Sequence, residues 1–129
     1  NARPELTALP EDIVAILDET AEKTKEFRGT QLITCVNYGG RREILDAVNK
    51  MLAAGETGPV TEETLQKYLY LPDVPDPDLI IRTSGELRLS NFWLWQSAYS
   101  EYYFTDKYWP DFDKQDLLDA VGDYYERER

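Results

Sequence analysis

Two short runs constrain this chain more than any other feature: residues 30–37 and Leu79-Ile80-Ile81. Neither alternates apolar and polar residues as a strand with one wet face does. Each reads as a strand buried on both sides, the pattern of a parallel sheet. Tyr38-Gly39-Gly40 breaks the first run. Ile44, Leu45, Val48 and Leu52 follow at helical spacing and predict a helix ended by Gly55. Strand, glycine turn and helix make a βα unit. The second run emerges from a stretch whose Pro72, Pro75 and Pro77 forbid both helix and ladder. It ends at Arg82-Thr83-Ser84-Gly85. The expected fold is α/β, with few parallel strands and helices on both faces. Two or three such strands cannot cover themselves, so the chain either associates with another or belongs to a larger domain.

The remaining elements follow from local signals. Pro10, Glu11 and Asp12 suit the start of a helix, and Ile13, Ile16, Leu17 and Ala21 give it one apolar side to about Lys25. Thr61 is placed to cap a short helix running to about Leu69, with Glu62 and Glu63 in its first turn. Asn91 to Gln96 reads as an aromatic helix, apolar on nearly every side. Residues 102–105 are a candidate strand, and Trp109-Pro110 a turn. Asp113 caps the last helix with Asp116 as its capping-box partner, and Leu117, Leu118, Val121 and Tyr125 form its apolar face.

Composition narrows the chemistry. The 129 residues suit one domain. No stretch approaches the roughly 18–20 apolar residues of a membrane span, and no signal sequence is visible, so a soluble, cytoplasmic protein is expected. With 14 basic and 25 acidic residues the net charge is −11, which excludes a general binder of nucleic acid. An anionic ligand must be held by a local group of arginines against that field. There is no His, so a Ser-His-Asp triad and His-based zinc sites are excluded within the chain. The single Cys35 lies in an apolar run and reads as a buried structural thiol.

Ligands of open α/β sheets bind beyond the C-terminal ends of the strands. Two loops meet that condition, residues 38–42 and 82–91. The second holds Arg82 at a strand end, Ser84-Gly85, Arg88 and Ser90: guanidinium forks, a hydroxyl and backbone amides suited to an oxyanion or phosphate. The plain alternative pairs Arg82 and Arg88 with Glu86 and Glu101. Yet a charge directly after a buried strand needs a partner. Glu101, among aromatics, is open to three readings: a helix end, a mate for an arginine or a Mg²⁺ ligand. Tyr38-Gly39-Gly40-Arg41 either touches a phosphate or forms a turn that needs glycine for backbone reasons.

Asn37-Tyr38-Gly39-Gly40-Arg41, Pro77-Asp78-Leu79-Ile80-Ile81-Arg82-Thr83-Ser84-Gly85-Glu86, Arg88-Leu89-Ser90-Asn91-Phe92, Leu94-Trp95-Gln96 and Trp109-Pro110-Asp111-Phe112 resemble, in order and spacing, the cis-prenyltransferases of the undecaprenyl diphosphate synthase type. The resemblance is strong from about residue 30 onward. It implies an enzyme that condenses isopentenyl diphosphate onto an allylic diphosphate such as farnesyl diphosphate, with Mg²⁺, as a homodimer touching membranes only peripherally. Arg82, Arg88 and Ser90 match the positions that hold the diphosphate of isopentenyl diphosphate. Glu101 matches the acidic residue associated with Mg²⁺. The resemblance also places the aromatic residues between Phe92 and Tyr103 near a dimer contact.

Residues 1–129 are then expected to be the C-terminal part of a single cis-prenyltransferase domain. The Asp-Gly-Asn-Gly-Arg-Trp loop that carries the family's catalytic Asp has no counterpart in this sequence. No catalytic residue is therefore assigned, and the chain alone is expected to be inactive. Two alternatives stay open at this point: a non-catalytic accessory subunit of a heteromeric cis-prenyltransferase, and a small α/β interaction module.

Overall fold

A computed structural model describes residues 9–127. The chain divides into two compact units, Asn1–Tyr38 and Gly39–Arg129.

In the first unit α1 spans Glu11–Thr24, as its Pro10 start and acidic first turn predict. Lys23 pairs with Glu19 one turn back at 2.5 Å. The Thr20 and Thr24 hydroxyls donate to the carbonyls of Ile16 and Thr20. No residue of α1 is buried. Residues 30–36 are irregular, which corrects the expected first strand, and Leu32 is 89% exposed. A strand exists only through a ladder with a neighbour. The described residues hold one sheet, and its two strands pair with each other.

In the second unit α2 spans Gly40–Ala53 and buries Gly40, Glu43, Ala47 and Met51. These positions recur every three or four residues and form one stripe. The predicted face was a different one, and its Leu45, Val48 and Leu52 are exposed. α3, Glu62–Gln66, is capped as expected, with Thr61 Oγ1 accepting the Thr64 amide, but it stops short of Leu69. Leu65 and Leu69 pack with Ala47 and Met51 as the core, flanked by Tyr68 and Trp95.

β1 (Leu79–Arg82) and β2 (Glu101–Phe104) pair in parallel, with Leu79 opposite Glu101 and Arg82 opposite Phe104. Between them the predicted aromatic helix is a series of turns. Ser90, Asn91 and Trp93 have φ of 50°, 66° and 41°, which no right-handed helix admits. A 3₁₀ turn, Trp109–Asp111, leads to α4, Lys114–Glu126. The capping box forms: Asp113 accepts from the Gln115 and Asp116 amides, and Asp116 accepts from the Asp113 amide. The buried residue of α4 is Ala120, whereas Leu117, Leu118 and Tyr125 of the predicted apolar face stay exposed.

Candidate functional site

Arg82 ends β1, and the chain then turns through Ser84 and Gly85, with φ of 70° and 66°. The Ser84 amide donates to the Lys107 carbonyl at 2.7 Å and the Gly85 amide to Thr105 at 3.0 Å, which ties the turn to the segment after β2. Glycine is apt at position 85. Its φ is left-handed, and a Cβ there would lie 3.1 Å from Asp106 Oδ1.

Beyond the turn lies a cleft of about 270 Å³. Ile80, Ile81, Leu89 and Phe92 supply its apolar wall, and Arg82, Thr83 and Arg88 its polar groups. The Nε of Arg82 is buried with no hydrogen-bond partner. A charged donor out of water without an acceptor is costly, and such an atom marks a place where an anion is wanted. Gln96 Oε1 is also buried without a partner, but it is a neutral acceptor on an amide whose nitrogen already donates to Glu43. Arg88 is mostly exposed and pairs with Glu86. Such a surface pair holds its guanidinium weakly.

The structure therefore brings Arg82 and Arg88 together. Ser90 is exposed next to the cleft and does not line it. Glu101 stands apart. The register puts it at the opposite end of the strand pair from Arg82, about 10 Å away along the strands. There its carboxylate accepts from Arg127 Nη1 at 2.6 Å, while Arg127 also reaches Asp123 and the Tyr102 carbonyl. These partners, Glu101 foremost, hold the Arg127 guanidinium above its ordinary range. Glu101 also borders a separate acidic cavity with Asp76, Asp78 and Gln96. Among the described residues no group of three or more Asp, Glu or Cys side chains could hold a metal ion. By themselves the donors among the described residues do not fit Mg²⁺.

The glycine pair has a backbone explanation. A Cβ on Gly39 would lie 2.8 Å from Asn91 Nδ2, and one on Gly40 2.9 Å from Leu94 Cγ. The Gly40 amide donates to the Asn91 carbonyl at 2.7 Å, and the Arg41 amide to Asn91 Oδ1 at 2.9 Å. These amides of the α2 N-terminus are occupied by protein. The sequence assigns no site role to Asn91, Glu43 or Gln96. Glu43 Oε1 accepts the Tyr70 amide and Oε2 accepts from Gln96 Nε2. The one visible signal was a glutamate on the same helical stripe as Ala47 and Met51.

A family model described as "Putative undecaprenyl diphosphate synthase" matches residues 2–129, and the chain belongs to that family. An isoprenyl transferase of Thermotoga maritima is 62% identical over 124 residues, covering 94% of this chain and 53% of that protein. A geranylgeranyl-diphosphate-specific tritrans,polycis-undecaprenyl-diphosphate synthase of Methanopyrus kandleri is 49% identical, covering 96% of this chain and 48% of that protein. Among solved structures, lavandulyl diphosphate synthase from Lavandula x intermedia, in complex with dimethylallyl diphosphate, superposes with a TM-score of 0.90 at 38% identity, over 97% of this chain and 56% of that one. A probable undecaprenyl diphosphate synthase from Campylobacter jejuni gives 0.83 at 31% identity, over 97% and 58%. The α/β expectation and the family resemblance both hold. The chain spans about half the length of the relatives it matches.

Proposed function

We propose that this chain supplies the isopentenyl diphosphate site of a cis-prenyltransferase. In that reaction a carbon–carbon bond forms between the two isoprenoid units. The allylic diphosphate departs, and a proton leaves to restore a double bond. The diphosphate of isopentenyl diphosphate stays on the product and must be held throughout. The observation that carries this reading is the buried, unpartnered Arg82 Nε beside Arg88 in one cleft. Two guanidinium forks neutralise and orient a diphosphate, and the apolar wall of Ile80, Ile81 and Phe92 suits the adjoining hydrocarbon. The family supports the substrate class, and one structural neighbour holds an allylic diphosphate. Ser90 completes the site by turning its hydroxyl to the bound diphosphate.

Mg²⁺, were it bound, would supply charge neutralisation to a departing allylic diphosphate. Glu101 would help hold that ion only after giving up Arg127, and only with further donors that the described residues do not supply. The working enzyme is a cytoplasmic homodimer, its contact near the exposed Tyr99.

The test is calorimetric titration of isopentenyl diphosphate into the chain. Saturable binding is expected, weakened at least about tenfold in Arg82→Ala, since a charge-assisted hydrogen bond is worth about 1.5–3 kcal/mol. Equal binding by both proteins would refute the assignment of Arg82.

A further inference from the structure

We propose that Asn91 is a positioning residue for the cleft: it clasps residues 88–92 to the N-terminus of α2 and so fixes where Arg88 and Leu89 stand relative to Arg82. The proposal rests on the reading of that cleft as a diphosphate site.

The segment that carries Arg88 into the cleft is not a regular element. Ser90 and Asn91 are both left-handed, with φ of 50° and 66°, and Trp93 follows at 41°. Consecutive residues in that region persist only where the surroundings over-determine them. The Phe92 amide closes back on the Leu89 carbonyl at 3.1 Å, so the turn is short and a shift at position 91 is passed directly to position 89. What holds the turn is Asn91. Its carbonyl takes the Gly40 amide and its side-chain oxygen takes the Arg41 amide, the latter 50 positions away in the chain. Both donors belong to the set that a helix N-terminus leaves without intrahelical partners.

The opposing surface is shaped for this clasp. A Cβ on Gly40 would lie 3.2 Å from the Asn91 carbonyl and 3.1 Å from the Leu94 amide, and one on Gly39 would collide with the Asn91 amide nitrogen. The glycine pair and Asn91 are thus one device seen from two sides. A second tie, Gln96 Nε2 to Glu43 Oε2 at 3.1 Å, fastens the segment to α2 farther along. Losing the Asn91 side chain therefore releases the turn near Arg88 without detaching the whole crossover.

Two substitutions separate positioning from stability. Asn91→Gly keeps the left-handed backbone and the carbonyl bond to Gly40, and deletes the acceptor for Arg41. Asn91→Asp keeps an acceptor in the same place and tolerates the same backbone. Inorganic diphosphate is titrated calorimetrically into each chain at matched, elevated ionic strength, and thermal unfolding is followed in parallel. Asn91→Gly is expected to bind about tenfold more weakly, with its midpoint within about 5 °C of the unaltered chain, and Asn91→Asp to recover most of the affinity. Unchanged diphosphate binding by Asn91→Gly would overturn the proposal. So would a loss matched by a collapse of the unfolding midpoint, which would make Asn91 a stability residue. Absence of binding by the unaltered chain would remove the cleft reading itself, and this proposal with it.

Discussion

Arg82 and Arg88 share a cleft but not a condition. Arg82 is half-buried with one donor unanswered, whereas Arg88 is exposed and held by Glu86. A diphosphate arriving at the cleft must compete with that carboxylate for Arg88. Glu86→Gln is therefore expected to tighten diphosphate binding by about two- to fivefold, the scale of a surface ion pair, and to flatten none of the dependence on Arg82. Calorimetry on the single variant checks it. Weaker binding would mean that Glu86 orients Arg88 instead of restraining it. At this scale the sequence was readable where charge broke a pattern. Arg82 stood out because it directly follows an apolar strand in a chain of net charge −11. Asn91 did not, because its work depends on a positive φ and a partner 50 residues away, neither of which leaves a periodic trace. Glu43 hid for a related reason: its burial is set by what packs across from α2.

Among the elements, α4 was legible at its start and misread along its length. The capping box is a local arrangement, written in Asp113 and Asp116, and it formed. The buried side of the helix is a tertiary choice. It fell on Ala120, leaving Leu117 and Leu118 about half exposed. The predicted helix at Asn91 is likewise replaced by turns, in which Asn91 bonds to the Gly40 and Arg41 amides of α2. The cap yields a prediction. The Asp113 amide, and after it Lys107, hold the Asp116 carboxyl below its ordinary range. A carboxyl depressed by folding stabilises the native state above its unfolded pKa, and that gain is lost as pH falls through the depressed value. Helicity followed by circular dichroism should therefore hold from neutral pH down to the ordinary aspartate range and fall only below it. Asp116→Asn should remove that acid-side component. Asp113→Ala should cost about 1 kcal/mol in urea unfolding at neutral pH. An acid profile identical in Asp116→Asn would show that the box does not govern it.

At the scale of the whole molecule, few large side chains among the described residues are fully covered. Leu52, Leu87, Trp109 and Tyr125 are each at least 70% exposed, and the buried core of the second unit centres on Ala47, Met51, Leu65 and Leu69. The pattern of buried parallel strands correctly announced an α/β family fold. It could not announce which run would form a ladder: Leu79–Arg82 does, and residues 30–36 are irregular. The chain spans about half the length of its relatives and contains no Asp-Gly-Asn-Gly-Arg-Trp loop. We expect the verified 129-residue polypeptide to incorporate no labelled isopentenyl diphosphate into longer products, even where it binds the substrate. Measurable incorporation would show that the catalytic Asp loop is dispensable.

The two edges of the small sheet are unequal. On β2 the Tyr102 carbonyl is already taken by Arg127, whose guanidinium is pinned in turn by Glu101 and Asp123. On β1 no second ladder is formed among the described residues. A docking strand needs a continuous row of free amides and carbonyls, and on the β2 side Arg127 already takes one of those carbonyls. Arg127 thus does two things at once, holding the end of α4 to the strand and covering a polar group on the sheet's rim.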